Sequence, residues 1–557
     1  MKLHYLYMIM CISGLLALAG CREDAVLLTE EDTAGRSVLV LNFSIEGSEA
    51  ASGRAVEDDS PKHPAAEWED NIAFFHLFIK YADGTWEEPI PFTTIGGVLQ
   101  YEIEMEQPDL SKETFYLGAN LSTEQVQTFI SQQQAKDEGQ TIPAYTFTKN
   151  NFDLVTDFSP YSTYEERVDR NHIAMFCTEG ATPVLTDAAS NAYAVSFNLK
   201  RMVAKVLVTC EIDENIVGGA DGQSYVPITS DANSDFKGWI RQTDVKYMLN
   251  GLNRQAYIMQ QVDNAVTEAY ANVIDPNNNL QQSAAGGNFF FQQLEGEVEN
   301  GFFRTSSVFD ADRLSITNVD YTGNQPYTEG IYCPENTFAV SNITLEGEQA
   351  QVTHVNVAAR FTPKKLYIEE GLTAYIAADQ TIPADVRDEI SKLTESNGMV
   401  ECLTEAAAAQ LLASSLKMAE DRNGFPTKTY FYQSEEKTFY TYGAMCEVLG
   451  HKASASDIET NPGVFGEFVP YLDGWGYYYT YVDNRLDDYG KPAETDAYQY
   501  GQVERNRYYI LNVTGFTQPG SSITNPNYIL VHTYSFPWKD GGSGSIELKP
   551  EDEEVRE

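Results

Sequence analysis

Apolar residues recur at every second position through most of this chain, the period of a half-buried strand, and at helical spacing in only two stretches. The first alternating run is Ser37 to Ile45, with Leu39, Leu41, Phe43 and Ile45 on one face. From Ile72 to Tyr81, Ala73, Phe75, Leu77, Ile79 and Tyr81 share a face and Ile72, Phe74 and Phe78 the other, before a turn at Ala82-Asp83-Gly84-Thr85. Leu99 to Met105 and Thr114 to Leu117 predict further strands, and Tyr193 to Cys210 predicts a long one. Strands resume at Lys428 to Tyr432 and Gly476 to Val482, and the block Gly501 to Val513 ends as a strand. The last run, Tyr528 to Trp538, places Tyr528, Leu530, Tyr534, Phe536 and Trp538 on one face with His532 among them, and Ile529 and Val531 opposite. Pro537 cannot donate to a ladder, so this run belongs at a sheet edge or a strand end. After a turn at Lys539 to Ser545, Ile546-Glu547-Leu548 is expected to pair back.

The helical stretches are Ser122 to Asp137, with Ser122 and Gln125 forming a capping box, and Pro383 to Asp421. Short strands with scattered turns and two helical inserts favour β-sandwich domains over βαβ units. A chain of 557 residues holds roughly two to four domains. The expected division is a first domain over 55–190, a second over 191–516 with its helical insertion near 383–421, and a terminal linker and strand over 517–557. The linker, Thr517 to Asn527, is rich in Pro, Gly, Ser and Asn. Both ends of the chain thus carry an apolar strand joined to the body by a soft segment.

The first 55 residues change this picture. An apolar run from Tyr5 to Ala19 follows Lys2, too short to span a bilayer, and reads as a secretory signal over 1–20. Leu18-Ala19-Gly20-Cys21 matches a bacterial lipobox, which makes Cys21 the acylated residue and 21–54 a propeptide. Arg22-Glu23-Asp24 is similar to the export tag of Bacteroidota surface lipoproteins. Arg54-Ala55 sits among small residues directly after the first strand, an accessible bond for a trypsin-like protease. Arg36 competes, but a cut there would leave Ser37 to Ile45 in place.

A net charge of -45 argues against nucleic acid and anionic membrane as partners, because phosphate binding needs a positive field. The 34 Tyr and 28 Phe suit pleated sheets. Cys177, Cys210, Cys333, Cys402 and Cys446 have long irregular gaps and no C-x-x-C, so neither a zinc ribbon nor a dense disulfide framework is indicated, while one disulfide or buried thiols remain open. No zincin, nucleophile-elbow, P-loop or dinucleotide motif occurs, and the histidines have no metal-ligand spacing. No catalytic residue, metal or cofactor is expected. Any carboxylate pair among 82 acidic residues reads first as solvated surface. The cluster Trp475, Tyr477, Tyr478, Tyr479 and Tyr481 offers sugar-stacking rings or an ordinary strand.

Together these features resemble the Bacteroidia fimbrillins, the FimA-type major subunits of type V pili. The likeness rests on Cys21, the strand that follows it, Arg54-Ala55, the strand Ile72 to Tyr81, the segment Leu199 to Val206, the block Val503 to Val513, and the final strand ending in Pro537-Trp538. It implies two transthyretin-like β-sandwich domains and a surface lipoprotein precursor that becomes part of a fimbrium. An arginine-specific protease would cut after Arg54 and remove the strand of Leu39, Leu41, Phe43 and Ile45. The resulting groove would accept a donor strand from a neighbouring copy, carried by Tyr528, Leu530, Tyr534, Phe536 and Trp538. The contact is head-to-tail, so it propagates as an open filament. Accessory anchor and tip fimbrillins and surface ligands would be further partners, and the membrane is touched only through the lipid before cleavage. The alternative is an anchored lipoprotein that binds glycans or serves as anchor or tip.

Overall fold

The structure is a computed structural model. It describes residues 37–45, 72–93, 100–105, 109–147, 173–210, 237–262, 331–338, 351–423, 430–454, 461–482, 502–516, 519–520, 534–537 and 544–548, with a few short stretches between 225 and 317 and at 457. The chain is mainly β, with five α-helices among the described residues.

The first body is built from β1 (Ser37–Ile45), β2 (Phe74–Lys80), β3 (Ile90–Thr93), β4 (Gln100–Met105), β5 (Thr114–Ala119), α1 (Thr123–Asp137), β6 (Tyr145–Thr146), β7 (Met175–Cys177), β8 (Val184–Asp187) and β9 (Ala192–Arg201). All of the strands but β6 form one eight-stranded sheet in the order β3-β2-β5-β7-β9-β1-β4, with β8 also on β9. The order separates β1 from β2 by three strands, yet the Phe43 and Phe75 rings meet edge-on at 4.7 Å. The sheet therefore bends round until β1 faces β2, and the alternating residues of both strands fill the space between. α1 covers the other side: Phe129 packs against Phe78 at 4.7 Å and Phe176 at 4.5 Å. The helix starts where the sequence places it, with Ser122 and Gln125 each satisfying the other's backbone amide.

The long apolar run Tyr193 to Cys210 divides in two at Met202. β9 stays in the first sheet and β10 (Val203–Cys210) opens the second, so the chain passes from one sheet to the next at Met202. Strand alternation continues through the crossing, and only the tertiary pairing marks it. β10 lies between Ile331–Pro334, antiparallel, and Arg507–Phe516, parallel. A further sheet holds Gly238–Asn250, His354–Pro363 and Trp475–Tyr481 as neighbours.

Strands His354–Pro363 and Trp475–Tyr481 pair antiparallel from His354↔Tyr481 to Arg360↔Trp475. Residues 364–474 are thus spliced into a hairpin. They form a module with helices Leu372–Ala378, Ala384–Ser391, Glu405–Asn423 and Tyr442–Leu449 over a five-stranded sheet. The expected helical insertion at 383–421 is the middle of this larger unit, which also takes in the strand expected at Lys428 to Tyr432, found here as Tyr430–Gln433. The described strands form one curled eight-stranded sheet, three five-stranded sheets including the inserted one, and four two-stranded ladders.

A buried polar junction joins the two bodies. The Arg201 guanidinium donates to Asn506 Oδ1 at 3.0 Å. The Arg505 side chain, 2 % exposed, donates to the carbonyls of Ile258 and Tyr257 and meets Glu335 at 3.2 Å. Segment 252–262 reaches across to the first body: Gln255–Ala256 pairs with β6, and the Ile258 amide donates to Gln132 of α1. Arg505 therefore ties the start of the last long strand to the strap that crosses α1.

Candidate functional site

β1 carries no charged residue, and its burial alternates strictly along its length. Leu39 and Leu41 are fully buried, Ile45 and Phe43 nearly so, and Ser37 closes the row. Val38, Val40, Asn42 and Ser44 lie on the half-buried outer face. On one side β1 runs parallel to β9 over eight register pairs, Val38↔Ala192 to Ile45↔Leu199. On the other it runs antiparallel to β4 over six, Ser37↔Met105 to Asn42↔Gln100.

Paired positions in a parallel ladder point to the same face, so the register builds an apolar seam: Leu39 beside Tyr193, Leu41 beside Val195, Phe43 beside Phe197 and Ile45 beside Leu199. All four β9 residues are buried, at 5 % exposure or less. The Tyr193 hydroxyl reaches Asp109 at 3.3 Å, and burial together with that carboxylate raises its pKa. Among the described residues β4 pairs with β1 alone. Taking β1 away would leave β9 with one whole edge unpaired and β4 without its described partner, and between them a slot whose β9 wall is apolar. No hairpin ties β1 to either neighbour; β9 lies almost a whole domain further along the chain.

The sequence finds β1 and its inward face. It misses the partners Tyr193, Val195, Phe197 and Leu199, whose alternation is visible but whose pairing is non-local. Cys21, Arg36, Arg54 and Ala55 lie outside the described residues, as do Tyr528, Leu530 and Trp538. Tyr534 and Phe536 are placed: Tyr534–Pro537 forms a short strand antiparallel to Arg507–Ile510, with Phe536 opposite Tyr508 and Tyr534 opposite Ile510. Pro537 ends this strand, which is the last in its sheet's order. Gly544–Leu548 does not fold back on its neighbour as a hairpin; it runs parallel to the same long strand, with Ile546 opposite Val513. The C-terminal segment thus lies on its own domain along one edge of Arg507–Phe516.

Four of the five rings of the aromatic cluster are packed inside and offer no sugar platform. Trp475, Tyr477, Tyr478 and Tyr481 are all buried, at 7 % exposure or less, and Arg360 and Lys246 cover the Trp475 ring at 4.9 Å and 5.4 Å. Cys177, Cys333, Cys402 and Cys446 are free thiols, and burial pushes Cys177 and Cys402 up to about 12. Among the described residues no cluster of three or more His, Cys, Asp or Glu could hold a metal, and no helix is long and apolar enough to cross a membrane.

The arrangement defines a class, a β protein in which the first described strand completes a sheet that the other described residues leave open. No family model and no curated protein matches the chain. Solved structures that it is similar to are fimbrial and cell-adhesion proteins. They include a fimbrilin, FimA, of Porphyromonas gingivalis W83, at 14% identity and TM-score 0.33, covering 92% of this chain and 97% of that one. A putative cell adhesion protein of Parabacteroides distasonis is similar at 10% identity and TM-score 0.37, covering 93% and 99%. The fimbrial anchor protein Mfa2 of P. gingivalis is similar at 9% identity and TM-score 0.21, covering 58% and 77%. At these identities and TM-scores a mechanism has to come from the strand pairing of this chain itself.

Proposed function

We propose that this chain is a structural fimbrial subunit, exported as a lipoprotein on Cys21 and activated by an arginine-specific protease that cuts Arg54-Ala55. The observation that carries the reading is the setting of β1: hydrogen-bonded on both sides, buried along one face, and joined to neither neighbour by a turn. A cut after Arg54 frees Leu39, Leu41, Phe43 and Ile45 to leave with their strand. Four such side chains bury with a gross gain of about 6–12 kcal/mol, so an empty slot strongly favours a replacement strand. The C-terminal strand of a neighbouring copy, with Tyr528, Leu530, Tyr534, Phe536 and Trp538 alternating as β1 does, fills it by β-strand addition. Before cleavage the slot is occupied, which keeps subunits monomeric until they reach the surface. Anchor and tip subunits end the filament.

The test is the intact mass of protein sheared from cells. An N-terminus at Ala55 in high-molecular-weight material supports the reading. A mass that retains residues 37–54, whether from acylated Cys21 or from a cut at Arg36, in material that is still polymeric would sink it.

A further inference from the structure

The linker that the sequence reads as uniformly soft has one buried point. Pro519 and Gly520 are both buried, beside strand Trp475–Tyr481. A methyl group built on Gly476 would lie 2.8 Å from the Gly520 nitrogen, and one built on Gly520 would lie 2.6 Å from the Tyr477 carbonyl oxygen. The two backbones touch, and neither residue has room for a side chain. The Tyr471 hydroxyl donates to the Gly520 carbonyl at 2.8 Å, and the Gly520 backbone also hydrogen-bonds the Tyr478 hydroxyl. Tyr478 is 2 % exposed, and Tyr471 is held flat against Phe431 at 4.5 Å. Tyr471 comes from the inserted module and Tyr478 from the hairpin strand that follows it.

The attachment further along is of another kind. Tyr534–Pro537 and Gly544–Leu548 each lie along one edge of Arg507–Phe516, over four and five register pairs. Arg507–Phe516 itself is core: Tyr509, Leu511, Val513 and Phe516 are at most 1 % exposed, and its other edge holds β10. Without a fixed point between the two, pulling the C-terminal segment off its edge would go on to strip a core strand.

We propose that Gly520, gripped by Tyr471, Tyr478 and the Gly476 backbone, is a stop at which release of the C-terminal segment ends. Strands Tyr534–Pro537 and Gly544–Leu548 leave their edge, residues up to Gly520 stay, and the inserted module supplies one jaw of the grip. The part this plays in assembly rests on the strand-exchange reading; the stop itself does not.

Amide hydrogen exchange on the full uncleaved chain, read by mass spectrometry on overlapping peptides, tests it without any polymerisation. The expected boundary lies at Gly520, with 534–537 and 544–548 exchanging at least about tenfold faster than Gly520 and 509–516. Tyr471→Phe keeps the ring and removes the donor, and should speed exchange at Gly520 by roughly tenfold while peptides over Tyr430–Gln433 stay protected. Gly520→Ala should do the same by wedging the backbones apart. The stop is refuted if Gly520 exchanges together with 534–537, or if Tyr471→Phe leaves its rate unchanged with the module folded. Failure of polymerisation would leave these rates untouched, so the two ideas fall separately.

Discussion

Replacing Leu41 by alanine tests the slot most directly. Leu41 sits at the centre of β1, is fully buried, and stands beside Val195 across the parallel ladder. Removing a leucine from such a site costs about 2–5 kcal/mol, from lost transfer energy and the cavity left behind. With β9 and β4 on either side the cavity cannot collapse far, so about 3 kcal/mol is a fair central value. Val40, the next residue, is only half buried on the outer face, and its alanine variant should cost less than about 1 kcal/mol. The assay is retention of the N-terminal fragment after cleavage with an arginine-specific protease, followed by native mass spectrometry. Interface losses fall mostly on dissociation, so Leu41→Ala should release the fragment roughly a hundredfold faster than the parent chain, and Val40→Ala within about fivefold of it. Equal release from the two variants would refute the reasoning, because the alternation of burial would then have no energetic meaning.

Arg505→Met leaves Glu335 buried without its cationic partner and should destabilise the chain by about 3–5 kcal/mol in urea unfolding, whereas adding Glu335→Gln should recover part of the loss. Burial holds the His354 imidazole at about 4, against 6.5 when exposed. Below 6.5 the unfolded chain therefore takes up a proton that the folded chain refuses, and stability is lost as pH falls from 6.5 towards about 4. His354→Asn should flatten the slope of melting temperature across that window relative to the parent. Fragment retention should change little between about 0.05 M and about 1 M salt, because β1 bears no charge and its contacts are apolar; a strong salt dependence would mean that charged loops and not the slot hold it. Ser122→Ala should lower stability by about 1 kcal/mol through loss of the α1 cap.

What the sequence shows is what repeats over short distances. β1 is legible because its partners bury one face only, and α1 because Ser122 and Gln125 sit three apart. Pairing is not legible: β1 meets β9 in parallel from far along the chain, and no turn chemistry advertises a parallel ladder. The splice of 364–474 into a hairpin is hidden for the same reason, since His354 and Tyr481 become neighbours only in space. Helix Glu405–Asn423 packs against helices on one side and sheets on the other, so its alanine-rich sequence shows no strong polar face. The burial of Arg505 follows from two carbonyls and a carboxylate that the fold brings to it. Of the two readings the sequence allows for Trp475–Tyr481, sugar-stacking rings or an ordinary strand, burial of Trp475, Tyr477, Tyr478 and Tyr481 favours the ordinary strand.

The crossing at Met202 also sets how this molecule bears a pull. Tension on whatever strand lies in the slot acts along β9, passes through one peptide bond after another into β10, and leaves along Arg507–Phe516, which is parallel to β10 over the pairs Lys205↔Tyr508 to Cys210↔Val513. At both ladders the strands slide past each other along their own length, so all the bonds of a ladder are strained together and none is peeled first. If units join by the strand exchange proposed above, a thread of them would resist being drawn out lengthwise far better than being unzipped sideways.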